Sequence, residues 1–498
     1  MAPNLTGLPE KFVSGSVWMV GLRVAERVLG LLSIVILARL LTPEDYGIVA
    51  LALTTLAILE NGLFLGFEAA LIKFQDANRS EYDTAWTLNA LRGVVVAIIL
   101  VLAAVLSEPV FNEPRLAGVF LLLALAPLFE GVVNIGVVEF RKKIEFNKEV
   151  YYNLSARGVG VAVTIAVAVV WQTYWAIVIG AVLGRAVKCG LSYALHPYRP
   201  GIATASWRKL VAFSGWLSAN NLITTLSMRI DVFLVNALLG PKVVGVYHVG
   251  SEVGQMPHTQ LTAPVMAVLF PSLASFGNDH ARMASAYLKG LSGLIAVGLP
   301  VSVGLALVAE EFVPVVFGQK WDQAIPVLQV ISSIMAAHLV TSGFESVAMA
   351  KGMTRMLFNR QVVASTIRPA FLFAGLYYYG LWGALGGRAA AAAVMVCINI
   401  GLMRRVLDRP YARILTAGWR SWISAAAMIV AVLAVKNSLP WPDTTFPIFA
   451  LAGEMIVGAI VYISVHLALW RLAGRPDGFE TMALDMTKRT LFRRRAIG

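Results

Sequence analysis

The feature that most constrains this chain is a succession of apolar runs, each about as long as a bilayer is thick. They lie near 13–38, 46–72, 84–107, 115–139, 150–171 and 174–196, then near 212–238, 244–270, 286–309, 324–350, 360–379 and 381–403, with two more near 419–436 and 446–469. A hydrocarbon core about 30 Å thick needs roughly 20 residues of helix to cross it. The runs are continuous and lack the two-residue alternation of a membrane barrel, so helices are required. Of the 498 residues 58% are hydrophobic and only 14% charged, against about 25% charged in soluble proteins. Lipid must solvate such a chain. The first run is not a signal peptide, because Arg23, Glu26 and Arg27 interrupt it and Lys11 is the one basic residue before it. The expected class is an all-α polytopic membrane protein with about fourteen transmembrane helices.

Basic residues in the connections set the orientation. With the N-terminus inside, twenty-seven fall in cytoplasmic segments and four, Arg115, Lys242, Lys320 and Lys436, in external ones. Such asymmetry is the positive-inside pattern, and it places both termini in the cytoplasm. The net charge of +13 then reflects topology, and no nucleic-acid partner is expected. Aromatic clusters at Trp171, Tyr174 and Trp175 and at Tyr377, Tyr378, Tyr379 and Trp382 mark external hairpins at the membrane interface. The basic tail after Arg471 is a candidate contact for anionic inner-leaflet lipids. Cys189 and Cys397 stand alone and the six histidines are scattered, so neither a disulfide framework nor a metal site is expected.

An internal repeat organises the helices. Leu40-Leu41-Thr42-Pro43-Glu44-Asp45-Tyr46-Gly47 leaves the first span, and Leu238-Leu239-Gly240-Pro241-Lys242-Val243-Val244-Gly245 leaves the seventh, with prolines and glycines offset by 198 residues. Six helices separate the copies, so both enter the membrane in the same sense and form two parallel six-helix lobes, a plan suited to alternating access. The expected divisions are an N-lobe over 1–200, a C-lobe over 201–410, two C-terminal helices over 411–470 and a basic cytoplasmic tail over 471–498.

Charges inside the spans carry the functional signal. A cation at a helix centre costs about 2.5–3.5 kcal/mol on insertion scales, so such residues face a cavity or a partner. Arg23 and Arg27 share one face of the first span, with Glu26 placed to brace Arg23. Arg92, Arg157, Arg185, Arg229, Arg368 and Arg388 lie in later spans, and Asp231 stands near Arg229. The first lobe holds the surplus of positive charge, so a cavity cationic mainly on that side is expected. Guanidinium suits phosphate through paired hydrogen bonds and permanent charge. Asn61 and Asn89 are candidates for sugar hydroxyls, and Glu26, Glu60, Asp231 and Glu345 are the candidate ion-pair or coupling carboxylates.

The run Ala38-Arg39-Leu40-Leu41-Thr42-Pro43-Glu44-Asp45-Tyr46-Gly47, with Asp231-Val232-Phe233-Leu234-Val235 through Pro241 to Gly245-Val246-Tyr247, resembles the paired hairpin signatures of bacterial polysaccharide transporters. These form the O-antigen and exopolysaccharide flippase branch of the multidrug/oligosaccharidyl-lipid/polysaccharide flippase superfamily. The resemblance implies translocation of undecaprenyl-pyrophosphate-linked oligosaccharide units from the inner to the outer leaflet of the bacterial cytoplasmic membrane. It also implies that Arg23 and Arg27 contact the substrate and that the polymerase and export machinery of the same pathway are partners. No cofactor is expected, and the energy source is left open between a proton and a sodium gradient. A multidrug cation antiporter would favour an acidic cavity, and a membrane-embedded glycan polymerase or ligase would need a large external loop with catalytic residues. The arginines argue against the first and the short external connections against the second.

Overall fold

The computed structural model describes residues 8–64, 66–74, 76–274, 276, 279–438, 447–476 and 480–481, and every regular element among them is helical. In the N-terminal half these are α1 (Leu8–Leu40), α2 (Pro43–Gly62), α3 (Phe67–Lys73) and α4 (Arg79–Val105). Then come α5 (Arg115–Gly131) and α6 (Ile135–Lys142), which meet at a 60° bend, followed by α7 (Phe146–Trp171) and α8 (Trp175–Leu195). The long α9 (Trp207–Ala274) leads to α10 (His280–Leu307), α11 (Gln319–Ala350) and α12 (Thr354–Leu407). The last two are α13 (Tyr411–Ser438), with a 3-10 turn at Thr416–Gly418, and α14 (Pro447–Leu472). Among the described residues ten helices are long and apolar enough to cross a membrane, or eleven if the bent α5–α6 pair is one span. The basic tail expected to meet the inner leaflet falls, from residue 482 onward, outside the described residues.

Chain contacts gather into two compact units, Met1–Gly245 and Val246–Gly498. The Thr-Pro-Glu-Asp signature in the first is the start of a helix. The Asp45 N–H donates to Thr42 Oγ1 at 3.2 Å and the Thr42 N–H donates to Asp45 Oδ2 at 3.0 Å, so two orphan donors of the first turn are satisfied reciprocally. Pro43 sits where a missing N–H is harmless. Glu44 pairs with Arg115, which also donates to Glu113 at 2.7 Å and holds that carboxyl below the usual range.

The two segments that share the 198-residue offset lie against each other. A Cβ at Gly47 would overlap the carbonyl of Pro241, and a Cβ at Gly245 would overlap the carbonyl of Pro43. Only glycine lets two backbones approach so closely. The reciprocity is that of related segments meeting about a local two-fold axis.

A second correspondence appears at the α7–α8 pair. Gly160 meets Gly180 and Gly184 across the helix crossing. In the other unit, α12 turns back on itself at Tyr379 and Gly380, where the backbone leaves the helical region. Its halves close through Gly375 against Gly383 and Gly387 against the Phe371 carbonyl. The stretches Gly180-Ala181-Val182-Leu183-Gly184-Arg185 and Gly383-Ala384-Leu385-Gly386-Gly387-Arg388 therefore do the same work and end on an arginine. The C-terminal unit is cored by Leu291, Leu294, Ile295, Leu339, Met403 and Met428, whose burial at about 25 cal/mol per Å² ties α10 to α11, α12 and α13.

Candidate functional site

A cavity of about 830 Å³ opens inside the N-terminal unit. α1 lines it with Glu26, Ser33 and Leu37, a stripe of one helical face that also runs through Gly30. α2 adds Glu60 and Asn61, α4 adds Asn89 and Arg92, and α5 adds Glu130. From α7 come Asn153, Arg157 and Thr164, and from α8 come Arg185 and Lys188, three residues apart and so on one face. The close α7–α8 crossing at Gly160 and Gly180 fixes these two helices as one wall.

Two ion pairs cross the cavity. Arg185 Nη2 donates to Glu60 Oε2 at 3.0 Å, and Lys188 Nζ donates to Glu130 Oε1 at 2.8 Å. Both pairs are about a quarter exposed, so they are neither dry nor fully screened. Arg185 Nη1 and Glu60 Oε1 are buried with no hydrogen-bond partner among the described residues. The Arg185–Glu60 pair thus leaves a donor and an acceptor open to a ligand. At the rim, Arg141 bridges Glu149 at 2.5 Å and Glu68 at 3.2 Å. Arg92 and Arg157 have no ion-pair or hydrogen-bond partner among the described residues. The charge of Arg92 acts on both Glu60 and Glu130, and Arg157 Nη2 lies 3.4 Å from where a Cβ at Gly30 would stand. Asn61 donates to the Ala57 carbonyl at 2.8 Å, which leaves its side-chain carbonyl as the acceptor for a ligand.

Seven of the residues singled out in the sequence meet here: Glu26, Glu60, Asn61, Asn89, Arg92, Arg157 and Arg185. The expected cationic surplus does not. The lining holds five acids, Glu26, Glu60, Glu68, Glu130 and Glu149, against five bases, Arg92, Arg141, Arg157, Arg185 and Lys188. The carboxylates of α1, α2 and α5 converge, whereas Arg23 and Arg27 do not reach the lining. Arg23 is exposed one turn beyond Glu26 on the same stripe, and Arg27 is half-buried, a quarter-turn round the helix. The bracing of Arg23 by Glu26 is absent, since no ion pair joins them among the described residues. Glu130 and Lys188 were passed over as sites, although their charge within spans was a signal, and Lys188 sits on the face that Arg185 defines.

The other candidates lie elsewhere. Asp231 is 2% exposed and Arg229 half-buried, and a spacing of two residues turns them to opposite sides of α9. Glu345 pairs with Arg360 at 2.5 Å, and Arg368 is half-buried on α12. Arg388 is buried, donates to the hydroxyls of Tyr247 and Ser251 at 2.5 and 3.5 Å, and lies 5.6 Å from the Tyr247 ring centroid. It fills the place of Arg185 in its own unit with hydroxyls where Arg185 has a carboxylate.

A family model described as polysaccharide biosynthesis protein matches residues 36–326. The chain is 29% identical over 425 residues, 84% of each chain, to the lipopolysaccharide biosynthesis protein WzxC of Escherichia coli strain K12. It is 22% identical over 451 residues, 88% of this chain and 90% of the relative, to the succinoglycan biosynthesis transport protein ExoT of Rhizobium meliloti strain 1021. In fold it is similar to the lipid II flippase MurJ in an inward closed conformation, with a TM-score of 0.72 and 12% identity over 93% of this chain and all of that one.

Proposed function

Because the chain belongs to the polysaccharide biosynthesis protein family, we propose that it is a multi-pass flippase of the bacterial inner membrane that carries lipid-linked oligosaccharide repeat units from the inner to the outer leaflet. It makes and breaks no covalent bond. The lipid carrier is undecaprenyl diphosphate, and passage is by alternating access of two parallel lobes. Fourteen spans with both termini inside fit this role. The breaks at Gly240 and at Tyr379–Gly380 divide two of the long helices in two, and α1 is long enough to add another.

The observation that carries the reading is the cavity of the N-terminal unit, where paired and unpaired cations meet asparagine side chains. Arg92 and Arg157 supply charge to the diphosphate without first breaking an ion pair. The open Nη1 of Arg185 adds a donor, and a guanidinium that bonds phosphate and carboxylate together keeps its charge compensated throughout. Asn61, Asn89 and Asn153 present amides to sugar hydroxyls. As Arg185 turns from Glu60 towards the diphosphate, Glu60 is left to take up a proton or sodium ion, and Glu130 stands in the same relation to Lys188. Exchange of partners within a balanced network couples substrate binding to ion binding without stranding a charge in a low-dielectric site. Arg23, one turn further along the α1 stripe, meets the headgroup at the approach to the cavity.

The test is export in cells that lack their own flippase for a known glycan. Expression should restore polymer at the surface, and cysteine labelling should place residues 141–148 inside and residues 171–175 outside. Polymer absent despite correct insertion, or a glycan lengthened within the inner leaflet, contradicts the reading.

A further inference from the structure

A second cavity, of about 290 Å³, lies in the C-terminal unit between α10 and the start of α13. Two ridges form it. On α10, Ser285, Lys289 and Ser292 follow one another at three- and four-residue steps, and on the facing α13 Arg413, Thr416 and Arg420 do the same, with Arg409 just ahead of that helix. Gly418 sets the approach, since a Cβ there would stand 3.0 Å from Ile295 of α10. Ile414 packs into the core beneath, beside Leu291 and Leu294.

Four cations thus converge on one small space whose lining contains no carboxylate. Arg420 is held by Glu480, whose Oε1 lies 2.9 Å from Arg420 Nη1, with the arginine side chain 12% exposed. Lys289, Arg409 and Arg413 have no counter-charge among the described residues. Like charges gathered at this density repel one another, and packing alone offers no reason to gather them. Hydroxyls of Ser285 and Ser292 add donors to the lining, the Thr416 hydroxyl being spent on the Ala412 carbonyl at 2.6 Å, and clustered cations with hydroxyl donors are the chemistry of a phosphate site.

The surroundings say where the phosphate comes from. On the outward side of the same turns, Tyr411, Leu415 and Trp419 are exposed. Apolar and aromatic side chains there, flanking a basic pocket at a helix end, match the boundary between acyl chains and headgroups. The pocket belongs to segments that the distribution of basic residues assigns to the cytoplasmic side, so the inference rests on the orientation proposed above. We infer that this pocket, formed by Lys289, Arg409, Arg413 and Arg420, holds the phosphate headgroup of an anionic inner-leaflet lipid. The lipid fastens α13 to α10 and supplies the charge that the protein lacks.

The test measures binding and so stands apart from transport. Delipidated protein in neutral detergent is titrated with phosphatidylglycerol and, separately, with phosphatidylcholine, and bound lipid is counted by native mass spectrometry. Wild type should retain phosphatidylglycerol and not phosphatidylcholine. Arg409→Ala/Arg413→Ala should bind it at least tenfold more weakly, and Arg355→Ala/Arg405→Ala, at exposed basic positions outside the pocket, should match wild type. Millimolar inorganic phosphate should not displace the lipid. Should the double variant fail to purify as a single species, Lys289→Gln on the opposite ridge should weaken binding about threefold. Equal binding by pocket and control variants, equal retention of the two lipids, or displacement by inorganic phosphate would each overturn the inference.

Discussion

Breaking the Arg185–Glu60 pair separates a contact that holds helices from a charge that handles cargo. The pair closes at 3.0 Å with its side chains 26% and 23% exposed. At that distance the bare attraction is about 5.5 kcal/mol for an effective dielectric of about 20 and about 1.4 kcal/mol in bulk water. Truncating one partner of a buried pair costs about 3–5 kcal/mol and an exposed pair contributes about 0–1 kcal/mol. A pair a quarter exposed falls between, at about 2 kcal/mol. Arg185→Gln and Glu60→Gln should therefore each lower unfolding stability by about 2 kcal/mol in detergent. The double variant replaces two opposite charges by two amides that can still bond each other and should recover about 1 kcal/mol of the summed loss. Export should not recover, because the Arg185 guanidinium that turns to the phosphate and the Glu60 carboxylate that takes up the coupling ion are both gone. Chemical denaturation of the four proteins and glycan export in the same four strains give the two readouts. Strictly additive stability losses would refute the contact. Recovered export in the double variant would show that the charges only hold α2 to α8.

Three other outcomes follow from the geometry. Gly180→Ala should destabilise by about 1–3 kcal/mol through overpacking, because its Cβ would overlap Thr164 Oγ1 and the Gly160 carbonyl; Gly158→Ala, with open space around it, should not. Thr42→Ala removes the capping hydroxyl of α2 and should cost about 1 kcal/mol, seen as a lower denaturation midpoint. Burial holds the His196 imidazole below its ordinary value, and its Nδ1 accepts from the Tyr198 N–H at 3.2 Å. The unfolded chain then binds the extra proton first, so stability should fall as pH drops below about 6.5, and His196→Gln should remove that acid limb in a pH series of melting curves.

The helical architecture was legible because lipid imposes it. Runs that must cross an apolar slab announce their length. Pro43 and Pro241 with Gly47 and Gly245 were visible as a repeat, but not that each glycine receives the other's proline carbonyl. That needs the crossing of two helices far apart in sequence. The cavity was half legible: a charge inside a span signals a partner or a passage, and five such candidates, Glu26, Glu60, Arg92, Arg157 and Arg185, met in one place with two asparagines. Whether the passage is cationic depends on which faces turn inward. Glu26 turns in while Arg23 and Arg27, three residues and one residue away in sequence, stay out of the lining. Net charge summed over a lobe carries no information about facing. Arg388 shows the same limit, since its hydroxyl partners on α9 were too ordinary to stand out.

Reconstituted translocation tests the central claim most directly. Purified protein is placed in liposomes with a fluorescent undecaprenyl-diphosphate-linked oligosaccharide, and the label reaching the far leaflet is quenched with an impermeant reagent. Wild type should speed the leaflet change well above protein-free liposomes, and Arg92→Gln/Arg157→Gln, with its fold and stability intact, should lower the rate at least tenfold. A double variant that translocates as fast as wild type would contradict the account, as would a wild type no faster than lipid alone.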